Sequence, residues 1–213
     1  MQEIFNLNSL NIEKIVSELF DFSKVGAINI NGFIKEDFRK ELVKEINNHS
    51  NYFSPSPSYY GKSKQNLSSL YIGPSDDNRE DVDLPTLNYL IKNYEEIYKE
   101  ISRVANFIPG KPNSIGYHKY FVGEIGITPH YDHSWFVNLV SVFVISGKGK
   151  FSIYKKRDSE EGSTEIQSLE GSLTLMRHPR NESENIFRPL HCIEKITEER
   201  VSAILRQDIR YNE

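Results

Sequence analysis

Apolar positions recur at helical spacing through the first half of the chain and at every second residue through the second half. Ile12, Ile15, Val16, Leu19 and Phe20 fall on one helical stripe, and Phe38, Leu42, Val43 and Ile46 fall on another. Between them GAINING (26–32) reads as a short extended piece ending at Gly32. Residues 50–82 lose both periods and are rich in Ser, Pro, Tyr and Gly, which predicts a long loop. Loops of that length are lids or are disordered, and Tyr52, Phe53, Tyr59 and Tyr60 favour a lid. Leu87, Leu90, Tyr94, Ile97, Ile101 and Val104 then step by threes and fours, which predicts a long helix stopped by Pro109-Gly110.

From about residue 113 the period becomes two. SIGYHKYFV, FVNLVSVFVIS, GKFSIYKK, TEIQSLE, GSLTLMR and RVSAILRQ are strand-like runs rich in β-branched and aromatic residues, separated by turn signals such as Gly147-Lys148-Gly149. Helices followed by a run of strands predict an α+β fold. No repeat or internal boundary divides the chain. We read 1–213 as a single domain, with helical and lid segments over about 1–112 and a strand-built core over about 113–210.

Composition adds exclusions. A net charge of −4 supplies no overall basic field for nucleic acid or an anionic membrane. The single cysteine, Cys192, allows no internal disulfide and fits a reducing compartment. The first residues do not read as a signal peptide and no apolar run is long enough to span a bilayer, so a cytoplasmic protein is expected.

The candidate chemistry lies among the strands. In GITPHYDH, His130 and Asp132 are two residues apart, which on a strand puts both on one face. His191, 59 residues beyond Asp132, is the natural third group. Two histidines and one carboxylate can take one face of an octahedral metal and leave three positions open, the arrangement suited to non-haem iron(II). An HxD tripeptide alone is equally a pair of hydrogen-bonded polar residues. The strand after His191 changes the balance: Arg200, Ser202 and Arg206 share a face with Ile204, while Val201, Ala203 and Leu205 point the other way. Arginines on an inward face need an anion, and a small dicarboxylate gripped by guanidinium is the economical one. The other reading puts both arginines in solvent on an edge strand.

The ordered set resembles the Fe(II)/2-oxoglutarate-dependent oxygenases, whose pattern is HxD, a distal histidine, then an arginine followed two residues later by Ser or Thr. His130, Asp132, His191, Arg200 and Ser202 meet it, and YFVGEIGITPH is similar to the family's Tyr-x-x-Gly lead-in. The match covers Ser114 to Gln207. The resemblance implies a double-stranded β-helix (jelly-roll) core flanked by N-terminal helices. It implies iron held by His130, Asp132 and His191, with 2-oxoglutarate bound by Arg200, Ser202, Tyr120 and Arg206. Dioxygen would be the oxidant, succinate and CO2 the by-products, and hydroxylation of a small molecule or peptide side chain the outcome. A carboxylate at Asp132 argues against halide transfer. Trp135, His133, Tyr59 and Tyr60 are candidate substrate contacts, whereas His118, His178 and His49 are read outside the site.

Two other readings remain. The RVSAILRQ ending resembles the paired arginines of AlkB-like nucleic-acid demethylases, with Arg206 second, but Ser202 stands where asparagine is expected. A cupin-type barrel that binds metal or ligand without catalysis is the alternative of another class. It calls for HxH and gives the Arg200/Arg206 strand no role.

Overall fold

The computed structural model describes residues 3–72, 82–157, 161–180 and 188–211. Residues 73–81 of the expected lid lie outside them. In chain order the elements are α1 (Ile12–Phe20), β1 (Ala27–Ile30), α2 (Glu36–Asn48), β2 (Ser54–Pro55), β3 (Tyr59–Tyr60), β4 (Ser63–Lys64), β5 (Leu67–Ile72) and α3 (Pro85–Ala105), followed by β6 (Ser114–Tyr120), β7 (Ile127–His130), β8 (Phe136–Tyr154), β9 (Thr164–Ile166), β10 (Leu173–Arg177) and β11 (Leu190–Asp208).

The two stripes and the long apolar ladder form α1, α2 and α3 as expected. Asn11 starts α1 by accepting a hydrogen bond from the Lys14 amide at 2.9 Å. The long helix ends four residues before Pro109, at Ala105, because Asn106 takes the left-handed conformation there (φ 54°). Its N-terminus has no cap from its own side chains. The buried Glu45 of α2 reaches across and accepts from the Thr86 and Leu87 amides at 2.6 and 2.9 Å. That pairing satisfies two amides the helix cannot pair itself and places a carboxylate at the positive end of its dipole.

The strands pair in the order β1-β10-β8-β11-β6-β5-β2, with β7 added to β11 and β9 added to β8. FVNLVSVFVIS and GKFSIYKK, which read as two strands, are one nineteen-residue strand, and β11 is equally long. Each crosses from one layer to the other. The first half of β8 and the second half of β11 pair with each other and with β10 and β6, while their other halves pair with β9 and β7. The bend is local. Gly147 sits at φ 76°, where a side chain would overlap the Glu199 carbonyl, and Lys195, earlier on β11, takes φ 50°. The β8–β11 register shifts between Glu194 and Val201.

This gives a double-stranded β-helix with helices on one face. Val140, Val142, Phe151, Ile153, Ile193 and Ile204 fill the space between the two layers. Leu139, Phe143, Val201, Ala203 and Leu205, their alternates along the strands, pack with Leu19, Leu42, Leu87, Leu90 and Tyr94 of the helices. The alternation expected of the 201–205 run is therefore what the two cores use.

One expectation changes. The 50–82 segment, read as a loop, contributes β5, which runs beside β6 with Ser69 opposite His118 and Leu67 opposite Tyr120. The β3–β4 hairpin closes over β7: the Ser63 hydroxyl donates to the Pro129 carbonyl at 2.7 Å, and the Lys64 amide donates to the Thr128 hydroxyl at 2.9 Å. Arg157 also donates to the Ser63 hydroxyl and the Pro129 carbonyl, tying the far end of β8 to the same hairpin. Among the described residues no helix is long and apolar enough to cross a membrane.

Candidate metal centre and its cavity

His130 and His191 are cross-strand partners, directly opposite on antiparallel β7 and β11. That register brings their rings to 4.2 Å between centroids. Each Nδ1 faces the carbonyl two residues upstream, Thr128 at 3.1 Å for His130 and Pro189 at 3.0 Å for His191. A proton on Nδ1 satisfies that carbonyl and leaves Nε2 with its lone pair toward the centre, as metal-ligating histidines require. Burial pushes both imidazoles below the ordinary histidine range, so both are neutral.

Asp132 lies beyond the last residue of β7 and is not held by strand pairing. Side chains hold it instead. Arg206 of β11 bonds Oδ1 at 2.9 Å, and Arg188 donates to the Asp132 carbonyl at 2.6 Å while lying over the Tyr131 ring. Oδ2 is buried with no hydrogen-bond partner among the described residues, 3.6 Å from His191 Nε2 and 3.9 Å from His178 Nε2. Burial alone would raise this carboxyl. Arg206 and the surrounding imidazoles outweigh it and keep the group ionised, well below the usual carboxylate range.

One ligand atom from each of His130, Asp132 and His191 lies within 4.8 Å of the others, and all three residues are buried. An ionised oxygen stripped of hydrogen-bond partners beside two neutral imidazole nitrogens is the donor set a divalent transition metal takes. The residues fit iron(II).

Above this centre opens a cavity of about 700 Å³. Its walls include Tyr52, Tyr59, Tyr60, Tyr71, Trp135 and Phe136, and Asp132, Arg206 and His118 are among its polar lining. His133 stacks on Trp135 at 3.9 Å and 13° between planes. Arg210, paired with Asp208 at 2.6 Å, lies over the same indole at 4.1 Å. Tyr60 meets His133 edge-on at 4.7 Å and His130 at 5.5 Å, so the hairpin carrying it packs against a candidate ligand.

The named candidates thus divide in space. His130, Asp132, Arg206, Trp135, His133, Tyr59 and Tyr60 line the cavity. Arg200, Ser202 and Tyr120 are buried and do not line it. Arg200 is fully buried and donates to the Ser168 carbonyl and hydroxyl at 3.0 and 2.8 Å, leaving its Nε and the Ser202 hydroxyl unpartnered. Burial lowers this guanidinium to about 10, still charged at neutral pH. The inward arginines are therefore unlike: Arg206 already has an anion, Asp132, and Arg200 has none among the described residues.

Two residues read outside the site, His178 and His118, are drawn into it, and Tyr71, on which no reading was made, joins them. His178 is buried against Asp132, its Nδ1 on the Phe136 carbonyl at 3.0 Å. Its place depends on where β10 ends against β8, which local pattern does not encode. His118 shares a face with Tyr120 by simple alternation, a signal present in SIGYHKY. Tyr71 was hidden by the reading of its segment as a loop.

No protein-family model matches the sequence, and no curated protein matches it. Solved structures do resemble the fold. A prolyl hydroxylase from Trichoplax adhaerens, solved in complex with a hypoxia inducible factor oxygen degradation domain peptide fragment, superposes with a TM-score of 0.67 at 13% identity, covering 93% of this chain and 91% of that one. A Pseudomonas putida prolyl-4-hydroxylase gives 0.68 at 11% identity over 93% and 100% of the chains. A 2OG-Fe(II) oxygenase family oxidoreductase from Burkholderia pseudomallei gives 0.59 at 11% identity over 100% and 97%. The shared feature is architecture: this chain has the double-stranded β-helix fold of the 2-oxoglutarate- and iron(II)-dependent oxygenases.

Proposed function

We propose that the protein is an Fe(II)- and 2-oxoglutarate-dependent dioxygenase that hydroxylates a small molecule or a peptide side chain. The observation that carries this reading is the His130–Asp132–His191 group, with its orphaned carboxylate oxygen, at the base of an aromatic cavity. Bound iron would supply the redox centre at which 2-oxoglutarate and dioxygen become succinate and CO2, with the second oxygen atom passing to the substrate.

The chain's own residues supply positioning and charge. Arg206 balances Asp132, so a divalent cation brings two positive charges into a buried site and a dianion is the natural complement. Arg200, buried and charged, with an Nε that has no partner among the described residues, is the anchor we assign to the distal carboxylate, together with the Ser202 hydroxyl. Tyr120, opposite Arg200 on β6, is the hydroxyl we assign beside it. Tyr59, Tyr60, His133 and Trp135 would shape the prime-substrate space, large enough for a drug-sized molecule or one to two peptide residues. The peptide-bound Trichoplax adhaerens prolyl hydroxylase supports a peptide as one form of that substrate.

Incubation with iron(II), ascorbate, 2-oxoglutarate and separate peptide and metabolite pools tests the proposal. Succinate release with gain of one oxygen in a pool member is expected. If neither pool gains oxygen and no succinate forms above the His130→Ala background, the proposal is wrong.

A further inference from the structure

Three neighbouring strands present one polar strip to the interior. On β11 it is Arg200, Ser202 and Arg206; on β6, Tyr120, His118 and Ser114 stand opposite these three in turn. On β5, Tyr71 stands opposite Gly116. A side chain at Gly116 would collide with the Tyr71 ring, so the missing Cβ is what lets that ring lie across β6 toward His118. The Tyr71 hydroxyl meets His118 Nε2 at 2.6 Å, and His118 Nδ1 meets the Tyr120 hydroxyl at 3.4 Å. Tyr71 and His118 line the outer cavity, and Tyr120 lies behind them.

Burial pushes His118 down to about 3, so at neutral pH the ring carries one proton and the chain of hydrogen bonds has one direction. The short first contact sets it. A length of 2.6 Å is that of an O–H donor, since N–H donors to oxygen sit near ~2.9–3.0 Å. Tyr71 therefore donates to Nε2, and the ring proton is on Nδ1 and faces the Tyr120 oxygen. With that oxygen already an acceptor, the Tyr120 hydrogen is left to point away from His118; on β11, Arg200 and Ser202, whose Nε and hydroxyl have no partner among the described residues, stand opposite Tyr120 and His118.

We infer that Tyr71 and His118 are positioning residues that make Tyr120 an obligate hydrogen-bond donor to an acid group held against Arg200 and Ser202. The inference rests on the 2-oxoglutarate reading above and adds to it the device that sets the polarity of the recess. An acceptor at position 120 would repel a carboxylate, and the relay removes that option.

The test is a double-mutant cycle on 2-oxoglutarate binding to the oxygen-free, Mn(II)-loaded protein, with Tyr71→Phe, Tyr120→Phe and the double variant. Tyr71→Phe should weaken binding by about three- to tenfold, the worth of one hydrogen bond. The double variant should be no weaker than Tyr120→Phe alone, because the relay carries the effect of Tyr71 on 2-oxoglutarate through Tyr120. Nitrogen-15 NMR of His118 should find the proton on Nδ1 in the parent and on Nε2 in Tyr71→Phe, a readout that a packing role would not move. Unchanged affinity and tautomer in Tyr71→Phe, or losses that multiply in the double variant, would overturn the relay while leaving the 2-oxoglutarate reading intact. If the parent itself binds no 2-oxoglutarate, that reading fails and the relay fails with it.

Discussion

At the scale of single residues, the centre is built from groups whose unwanted partners have been removed. The Nδ1 atoms of His130 and His191 are committed to carbonyls two residues upstream, and Oδ1 of Asp132 is committed to Arg206, so what faces inward is two nitrogen lone pairs and one oxygen. Arg206→Met should show the cost of loosening this. It strands a buried carboxylate, which destabilises by about 3–5 kcal/mol. We expect that loss in the denaturation midpoint of the metal-free protein and expect Mn(II) to restore much of it, since the cation replaces the missing positive charge. Equal destabilisation with and without metal would mean Asp132 is not a ligand. The triad and the arginine face were legible because both rest on short spacings: HxD, a single distal histidine, and alternation along 200–206. The hold on Asp132 was not legible, because it depends on Arg206 and Arg188 arriving from β11 and the segment before it. Nor was His178, whose neighbour Asp132 is 46 residues away in sequence.

At the scale of elements, helices were legible and one strand was not, for a common reason. The helices are covered on one face only, so their apolar stripes are clean. β5 is covered on both: Leu67 joins the core between the layers and Leu70 joins the core beneath the helices. LSSLYI therefore shows no alternation, and its Ser/Pro/Tyr-rich surroundings read as loop. The start of α3 depends on a partner from α2, which a local reading also misses. Glu45→Gln keeps the shape and removes the charge that accepts from the Thr86 and Leu87 amides. A loss of about 1–2 kcal/mol is expected in urea denaturation. No change in midpoint would show that Glu45 does not cap the helix.

At the scale of the whole molecule, folding gathers neutral imidazoles into a dry interior, and that sets how stability responds to acid. Burial lowers His118 to about 3 and His178 to about 4, against an unfolded value near ~6.5. Between those limits the unfolded chain binds more protons than the folded one, so stability rises with pH there. The metal-free protein should hold its full stability above about pH 6.5 and lose it progressively as the pH falls toward 4. Thermal melts across this range would check the slope, and a midpoint independent of pH would contradict the burial of neutral histidines. The long strands β8 and β11 create this interior by bending between the two layers, and β11 alone carries His191, Arg200, Ser202 and Arg206.

The central claim is that His130, Asp132 and His191 hold one iron(II) and that 2-oxoglutarate binds because the iron is there. Anaerobic calorimetry of iron(II) and then 2-oxoglutarate, with the parent and His130→Ala, tests it most directly. The account predicts one equivalent of metal, 2-oxoglutarate binding only once the metal is present, and loss of both in His130→Ala. Binding of 2-oxoglutarate that ignores the metal, or an unchanged titration in His130→Ala, would contradict it.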